Sequence, residues 1–186
     1  CEAYMANQSY LPDDFLMAVN LSGRQFKGNL LVNFIRNLLE QTGMPAKNLE
    51  LEITESLLME NTEQAVQTLR ELSLLGITLA IDDFGTGYSS LSYLKQFPLN
   101  VLKIDRTFVR DVTEDSDDAA IVNAILAMSN SLALEVVAEG VETAEQLAFL
   151  RKSQCKRAQG FYFSKAIDLN DLMDYIKQTD QDVRAV

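Results

Sequence analysis

The stretch ITLAIDDFGTGYSS, residues 77–90, joins an apolar run to two adjacent aspartates, Asp82 and Asp83, and a glycine-containing segment. The apolar run is typical of a buried strand, and the glycines predict a loop. We expect a helix to begin after the loop, at about Ser89. The stretch therefore predicts one strand–loop–helix unit with acidic side chains at the end of its strand.

The same unit recurs along the chain. Hydrophobic periodicity predicts strands at 15–22, 49–54, 77–83, 101–105, 134–140 and 156–163. It predicts helices at 30–43, 62–76, from about 89, at 118–132, 143–153 and 169–179. Strands that alternate with helices indicate an α/β fold with a parallel sheet, and no linker divides the chain, so we expect one domain over 1–186. Six units fit either an open doubly wound sheet or most of an eight-unit barrel, and the pattern alone leaves both open.

Composition excludes several classes of function. The chain has 186 residues, is 47% hydrophobic and carries a net charge of −11, which disfavours binding to a nucleic-acid polymer. Histidine is absent, and the two cysteines form neither a disulfide framework nor a zinc motif. There is no signal peptide and no membrane-spanning apolar run. We expect a cytoplasmic domain, and because the chain begins with Cys1, a piece of a longer protein that a segment outside this sequence can anchor to the inner membrane.

Polar side chains end every predicted strand. In chain order they are Asn20, Glu52, Asp82 with Asp83, Lys103 with Asp105, Glu139, and Gln159. One such residue is explained by strand alternation or by a helix N-cap. Because the carboxyl ends of parallel strands converge on one face, six in succession predict a functional site there.

The residue types at these strand ends narrow the chemistry. Without histidine or a promising cysteine, the usual nucleophile–base pairs and histidine-rich zinc sites are excluded. Carboxylate and amide oxygens suit Mg²⁺, Mn²⁺ or Ca²⁺. Asp82 and Asp83 diverge in direction, so each can serve a different ion, as in two-metal phosphoryl transfer. The plainer alternative is that Asp83 only caps a turn in which Gly85 and Gly87 supply the positive φ angles.

Lys103 has several possible roles at its strand end. It can orient or deprotonate a water molecule, neutralise a phosphate, or form a Schiff base with a carbonyl substrate. Surrounding carboxylates raise the pKa of a lysine, which disfavours the Schiff base and an aldolase-like function. A purely structural ion pair with Asp105 or Asp82 is the remaining alternative. Glu142 opens the next predicted helix, where a carboxylate also suits the helix dipole.

Five ordered blocks of the sequence resemble one family. The blocks are AVNLSGRQF, ELEITES, LAIDDFGTGYSSLSYLKQFPLNVLKIDRTFV, VVAEGVET and QGFYFSKAI. Together, over about residues 11–175, they are similar to the EAL domains of bacterial cyclic di-GMP signalling. The resemblance implies a modified (β/α)8 barrel with one antiparallel strand. It also implies hydrolysis of cyclic di-GMP to linear pGpG with two Mg²⁺ or Mn²⁺ ions.

The resemblance also implies roles for particular residues. It makes metal ligands of Asn20, Glu52, Asp82, Asp83 and Glu139. Lys103 resembles the lysine that activates or positions the water, and Glu142 and Gln159 resemble residues that support metal-bound waters and substrate. Glu55 resembles the glutamate that anchors the loop FGTGYSS, which is expected to couple dimerisation to metal binding.

The Glu-Ala-Leu segment that names the family, whose glutamate is itself a metal ligand, is absent from this sequence. We therefore expect an incomplete (β/α)8 barrel with about six of its units, and inactivity of this polypeptide alone. An open barrel exposes two strand edges, which predicts a homodimer that covers them or a chain cut after folding. The parent protein is expected to be a cyclic di-GMP phosphodiesterase with an upstream sensory or GGDEF domain. The alternative is a module that binds cyclic di-GMP or a protein without catalysis.

Overall fold

The computed structural model describes residues 1–26, 29–87 and 91–184, and all statements below concern these residues. Six strands form one sheet. They are β1 (Met17–Leu21), β2 (Leu49–Thr54), β3 (Thr78–Phe84), β4 (Val101–Ile104), β5 (Glu135–Ala138) and β6 (Arg157–Ala158). Every neighbouring pair is parallel, which confirms the predicted parallel α/β fold.

Helices connect the strands. They are α1 (Glu2–Asn7), α2 (Asn29–Thr42), α3 (Glu55–Glu60), α4 (Thr62–Ser73), α5 (Leu91–Leu94), α6 (Arg106–Arg110), α7 (Ser116–Ser131), α8 (Ala144–Lys152) and α9 (Leu169–Arg184). The predicted start at Ser89 lies outside the described residues, and α5 is described from Leu91. Side-chain caps account for several helix starts: Asp115 caps α7, and Thr143 caps α8 in a capping box with Gln146.

The order of the strands distinguishes the two predicted architectures. The sheet runs β1-β2-β3-β4-β5-β6, so each new strand adds to the same side of the one before. A doubly wound sheet reverses its direction of growth, whereas a barrel does not. The fold is thus an incomplete (β/α)8-type barrel with six units. Among the described residues, β1 and β6 each pair with only one strand.

The two faces of the sheet differ in character. On the helix-covered face, alternate residues such as Leu51, Ile81 and Leu102 are almost completely buried in the main core. Small side chains form a separate cluster on the other face: Ala80, Val101 and Val137. Because successive strand residues point to opposite faces, the residues two positions from these share the second face. That face corresponds to the barrel interior, and it carries the charged side chains of the site.

No described helix combines the length and the apolar character needed to cross a membrane.

Candidate metal centre

The carboxyl ends of β2, β3, β4 and β5 bring four of the predicted residues together. Glu52 lies on β2 and Asp82 on β3. The register partner of Asp82 is Thr54, two residues after Glu52, so the two acidic residues are close along the sheet. Lys103 is the third residue of β4. Glu139 directly follows β5, and its backbone N–H donates to the carbonyl of Ile104 at 3.1 Å, which holds it beside β4. The parallel sheet therefore gathers these side chains at one end of the barrel interior.

Lys103 is the centre of this group. Its Nζ lies 2.7 Å from Glu52 Oε1, 2.6 Å from Glu139 Oε1 and 3.5 Å from Asp82 Oδ1, and the residue is 4% exposed. Burial lowers the pKa of Lys103, but the hydrogen bonds to Glu139 and Glu52 outweigh burial and leave the pKa raised. The ammonium is therefore charged at neutral pH. A protonated amine cannot attack a carbonyl group, which opposes the Schiff-base alternative.

Of the two ion-pair partners considered for Lys103, the structure shows Asp82 and not Asp105. Asp82 is a partner at 3.5 Å, but Asp105 instead caps α6, accepting from Thr107 N at 2.9 Å and Thr107 Oγ1 at 2.5 Å. The shorter contacts of Lys103, to Glu52 and Glu139, join strands that are distant in sequence. Strand alternation shows which residues share a face, but it does not show which side chains meet across the sheet.

Asp82, Asp83 and Glu139 form a cluster suited to a cation, because one carboxylate oxygen from each lies within 4.8 Å of the others. The backbone N–H of Asp83 donates to Asp82 Oδ1 at 3.0 Å and so orients that carboxylate. Burial, followed by the charges of Asp82 and Asp105, raises the pKa of Asp83. Burial also raises the pKa of Glu139, although Lys103 opposes the shift. Bringing a divalent cation into the cluster would relieve this crowding of acidic groups.

The turn after β3 differs from the alternative in which Asp83 only caps the turn and Gly85 and Gly87 supply its positive φ angles. Asp83 itself has φ +54°, and the other positive φ of the turn is at Gly85 (φ +98°), not at Gly87. The backbone carbonyl of Asp83, not its carboxylate, closes the turn by accepting from Thr86 Oγ1 at 2.8 Å. The turn therefore does not use the Asp83 carboxylate, which lies in the acidic cluster and hydrogen-bonds to Asp105.

Gln159 and Asn20 lie at the two outer strands of the sheet, on opposite sides of the cluster. Gln159 follows β6, and its Nε2 donates to Glu139 Oε1 at 2.6 Å. Asn20 lies on β1 as the register partner of Glu52, and its side chain is exposed. The structure thus places Gln159 in direct contact with the cluster and Asn20 one strand away from Glu52.

Glu55 begins α3 and is 2% exposed. Its Oε2 accepts a hydrogen bond of 3.1 Å from the backbone N–H of Gly85. A Cβ added to Gly87 would lie 3.3 Å from Glu55 Oε1, so the loop backbone passes close to the carboxylate here too. Residues 88–90, the rest of the FGTGYSS segment, lie outside the described residues.

Glu142 lies apart from the acidic cluster. Its backbone N–H donates to Gln146 Oε1 at 2.7 Å. It lines a cleft of about 300 Å³ together with Arg106, Thr107, Arg110 and Gly140. The cleft adjoins the centre through Gly140, the neighbour of Glu139.

Asp105 belongs to the surroundings of the centre; the sequence placed it among the strand-end residues of the site but gave it no particular role there. Burial would raise the pKa of Asp105, but its hydrogen bonds from Thr107 lower it overall, and Asp83 also hydrogen-bonds to it. The sequence contained a signal for the capping role of Asp105, because an aspartate at a strand–helix junction is a typical N-cap residue.

The donor set fits a hard divalent cation such as Mg²⁺, Mn²⁺ or Ca²⁺. The described side chains at this end of the barrel offer carboxylate and amide oxygens with neither histidine nor cysteine, and hard divalent cations prefer such ligands. The fold and these strand ends define a barrel protein with an acidic site at the carboxyl ends of its strands.

Comparison with known proteins gives the family. A model of the EAL domain family matches residues 1–166. The cyclic di-GMP phosphodiesterase NbdA of Pseudomonas aeruginosa is 47% identical over 161 residues, 87% of this chain and 21% of that protein. The bifunctional diguanylate cyclase/cyclic di-GMP phosphodiesterase MucR of the same organism is 46% identical over 160 residues, 86% of this chain and 23% of that protein. The chain belongs to the EAL domain family, and it spans about a fifth of the length of these relatives.

Solved structures of related proteins have the same fold as this chain. The MucR phosphodiesterase in complex with c-di-GMP superposes with a TM-score of 0.88 at 43% identity, covering 92% of this chain and 70% of that chain. A manganese/cy-diGMP complex of Klebsiella pneumoniae BlrP1 gives 0.79 at 32% identity, covering 88% and 42%. A calcium/cy-diGMP complex of BlrP1 has also been solved, with the same TM-score at 34% identity, covering 88% and 41%.

Proposed function

We propose that this chain is part of a metal-dependent phosphodiesterase that hydrolyses cyclic di-GMP to linear pGpG in bacterial second-messenger signalling. The observation that carries the proposal is the cluster of Asp82, Asp83 and Glu139 beside the buried, protonated Lys103. Family membership and the complexes of its relatives with cyclic di-GMP support the choice of substrate.

In this proposal, two Mg²⁺ or Mn²⁺ ions would be held by Asn20, Glu52, Asp82, Asp83 and Glu139. Such ions supply Lewis acidity that favours ionisation of the attacking water and neutralises charge on the phosphate. This matters here because the chain carries a net charge of −11 and would otherwise repel an anionic dinucleotide.

The remaining side chains position the reactants. Lys103, with its charge fixed by its carboxylate partners, orients the attacking water and stabilises negative charge on the phosphoryl oxygens. Gln159 fixes the carboxylate of Glu139 through its 2.6 Å hydrogen bond. Glu142 supports bound water or substrate from the neighbouring cleft, and Glu55 holds the loop that follows Asp83. The water oxygen bonds to phosphorus and releases a proton to solvent, the bond from phosphorus to a ribose 3′ oxygen breaks, and that oxygen takes up a proton from solvent.

The test is a hydrolysis assay followed by chromatography of pGpG. Two polypeptides are incubated with cyclic di-GMP and Mg²⁺ or Mn²⁺: this chain, and this chain preceded by a relative's Glu-Ala-Leu-bearing segment. We expect the second polypeptide to hydrolyse the substrate and the variant Asp82→Asn of it to fail. An inactive second polypeptide that still binds cyclic di-GMP would overturn the proposal in favour of a receptor module.

The partners and location belong to the same proposal. We infer a homodimer that covers the edges of β1 and β6. We also infer an upstream sensory or GGDEF domain in the parent protein, as suggested by the bifunctional name of MucR. A cytoplasmic location is supported by Cys1 and Cys155, which are both unpaired. Sedimentation of the chain at several concentrations tests the homodimer.

A further inference from the structure

Lys103 contacts the same carboxylates that a metal ion would need. Asp82 and Glu139 belong to the acidic cluster, and both lie within 3.5 Å of Lys103 Nζ. Glu139 Oε1 has two donors, since it accepts from Lys103 Nζ at 2.6 Å and from Gln159 Nε2 at 2.6 Å. Lys103 therefore contacts an oxygen that is predicted to bind metal, whereas Gln159 fixes the orientation of the same carboxylate.

The four acidic side chains would repel one another strongly without this ammonium. Glu52 and Asp82 are both buried, and Asp83 and Glu139 adjoin them. Lys103 is the described cation that forms ion pairs with this group, because the other described ion pairs are Arg110 with Asp111 and Arg157 with Glu135. A buried group of like charges is stabilised by a counter-charge beside it, since the alternative is that the carboxylates take up protons.

We propose that Lys103 is the internal counter-cation of the metal centre: its ammonium neutralises the carboxylates in the metal-free protein, and divalent cations bind in competition with it. Lys103 thereby stabilises the metal-free fold and lowers the affinity for metal. This role is additional to orienting water, and it rests on the proposed function in taking the cluster as the metal site.

The inference predicts a gain of binding on removal of the lysine. Mn²⁺ affinity is measured by isothermal titration calorimetry for the wild-type chain and for Lys103→Met, Lys103→Arg and Lys152→Met. Lys103→Met should bind Mn²⁺ at least about tenfold more tightly, since a unit charge within about 4 Å contributes interactions of this order or larger. Lys103→Arg retains the charge and should stay near the wild-type affinity. Lys152, at the exposed end of α8, controls for the change in net charge.

Thermal unfolding supplies a second readout. In EDTA, Lys103→Met should unfold at a lower temperature than the wild type, and saturating Mn²⁺ should raise its Tm by more than it raises the wild-type Tm. If Lys103→Met does not fold without metal, Lys103→Gln, which keeps hydrogen-bond donors without charge, is titrated in its place.

The outcomes separate the two claims. Wild-type and Lys103→Met chains that bind Mn²⁺ with equal affinity, or a Lys103→Met chain that binds more weakly, would overturn the counter-cation role and leave the proposed function standing. A lack of Mn²⁺ binding in every variant would overturn the metal-dependent function and this inference with it.

Discussion

Gln159 Nε2 donates a 2.6 Å hydrogen bond to Glu139 Oε1, which links β6 to the end of β5 inside the barrel. A partner of this kind fixes the orientation of a carboxylate ligand, and loss of such partners typically costs 10- to 100-fold in metal affinity or activity. The contact gives Gln159 a role that does not depend on touching the substrate.

Gln159→Ala should therefore weaken Mn²⁺ binding by about tenfold or more, because Glu139 is then free to rotate away from the cluster. Titration calorimetry measures the affinity. Gln67→Ala is the matched control, since Gln67 Nε2 makes a similar 2.7 Å bond to Glu71 Oε1 on the exposed face of α4. Unchanged Mn²⁺ affinity in Gln159→Ala would show that Glu139 keeps its orientation without Gln159.

Glu55→Ala should free the loop after β3. The Gly85 amide loses its acceptor, so its hydrogen exchange should accelerate, and the loss of a buried charged hydrogen bond should cost about 1.5–3 kcal/mol of stability. Hydrogen exchange and denaturant unfolding measure the two effects. Glu60→Ala, on the exposed end of α3, should change neither. Wild-type exchange at Gly85 in Glu55→Ala would show that the loop is held by other contacts.

The sequence was sufficient to predict the alternation of strands and helices, because buried strands give strong apolar runs. It overextended the last strand: 156–163 was predicted, but β6 contains only Arg157 and Ala158. The aromatic residues after Gly160 favour a strand by propensity, yet the chain turns there and Tyr162 N–H donates to the Val141 carbonyl at 2.9 Å. Tertiary contact overrode local preference.

Strand ends also predicted most of the candidate site, since the carboxyl ends of parallel strands must converge. The sequence could not show the partners of Lys103, which are set by side-chain directions across three strands. It also did not single out Glu50, although the alternation of Glu50 and Glu52 places both on the interior face. The structure alone showed a second group of charged side chains, in which the ion pair of Arg157 with Glu135 lies close enough to Glu50 to affect its pKa.

Gly160 allows the turn that presents Gln159. Its φ is +153°, and a Cβ at this position would overlap the backbone nitrogen and oxygen of Val141. Gly160→Ala should therefore displace the turn, destabilise the protein by more than about 2 kcal/mol and weaken Mn²⁺ binding. Gly76→Ala is the control, because Gly76 also has a positive φ of 84° but its added Cβ would meet only Ala46 Cβ at 3.7 Å. Equal destabilisation of the two variants in denaturant unfolding would contradict this explanation.

Glu50 makes the stability of the protein depend on pH. The residue is 3% exposed, and its Oε2 has no hydrogen-bond partner in the described part of the chain. Burial is the main cause that raises the pKa of Glu50 above its usual value of 4.5, although the charge of Arg157 opposes the shift. The unfolded chain therefore releases the Glu50 proton at lower pH than the folded chain. The contribution of Glu50 to stability is complete below pH 4.5 and is lost as pH rises through the raised pKa.

Glu50→Gln should remove this loss. The variant should match the wild type near pH 4.5 and be more stable than the wild type at pH 8, because the neutral amide carries no buried charge. Denaturant unfolding in EDTA at both pH values measures the difference without interference from metal ions at Glu52. Glu114→Gln, at an exposed position, controls for the removal of one negative charge. A stability difference between wild type and Glu50→Gln that stays constant from pH 4.5 to pH 8 would show that Glu50 titrates alike in the folded and unfolded chains.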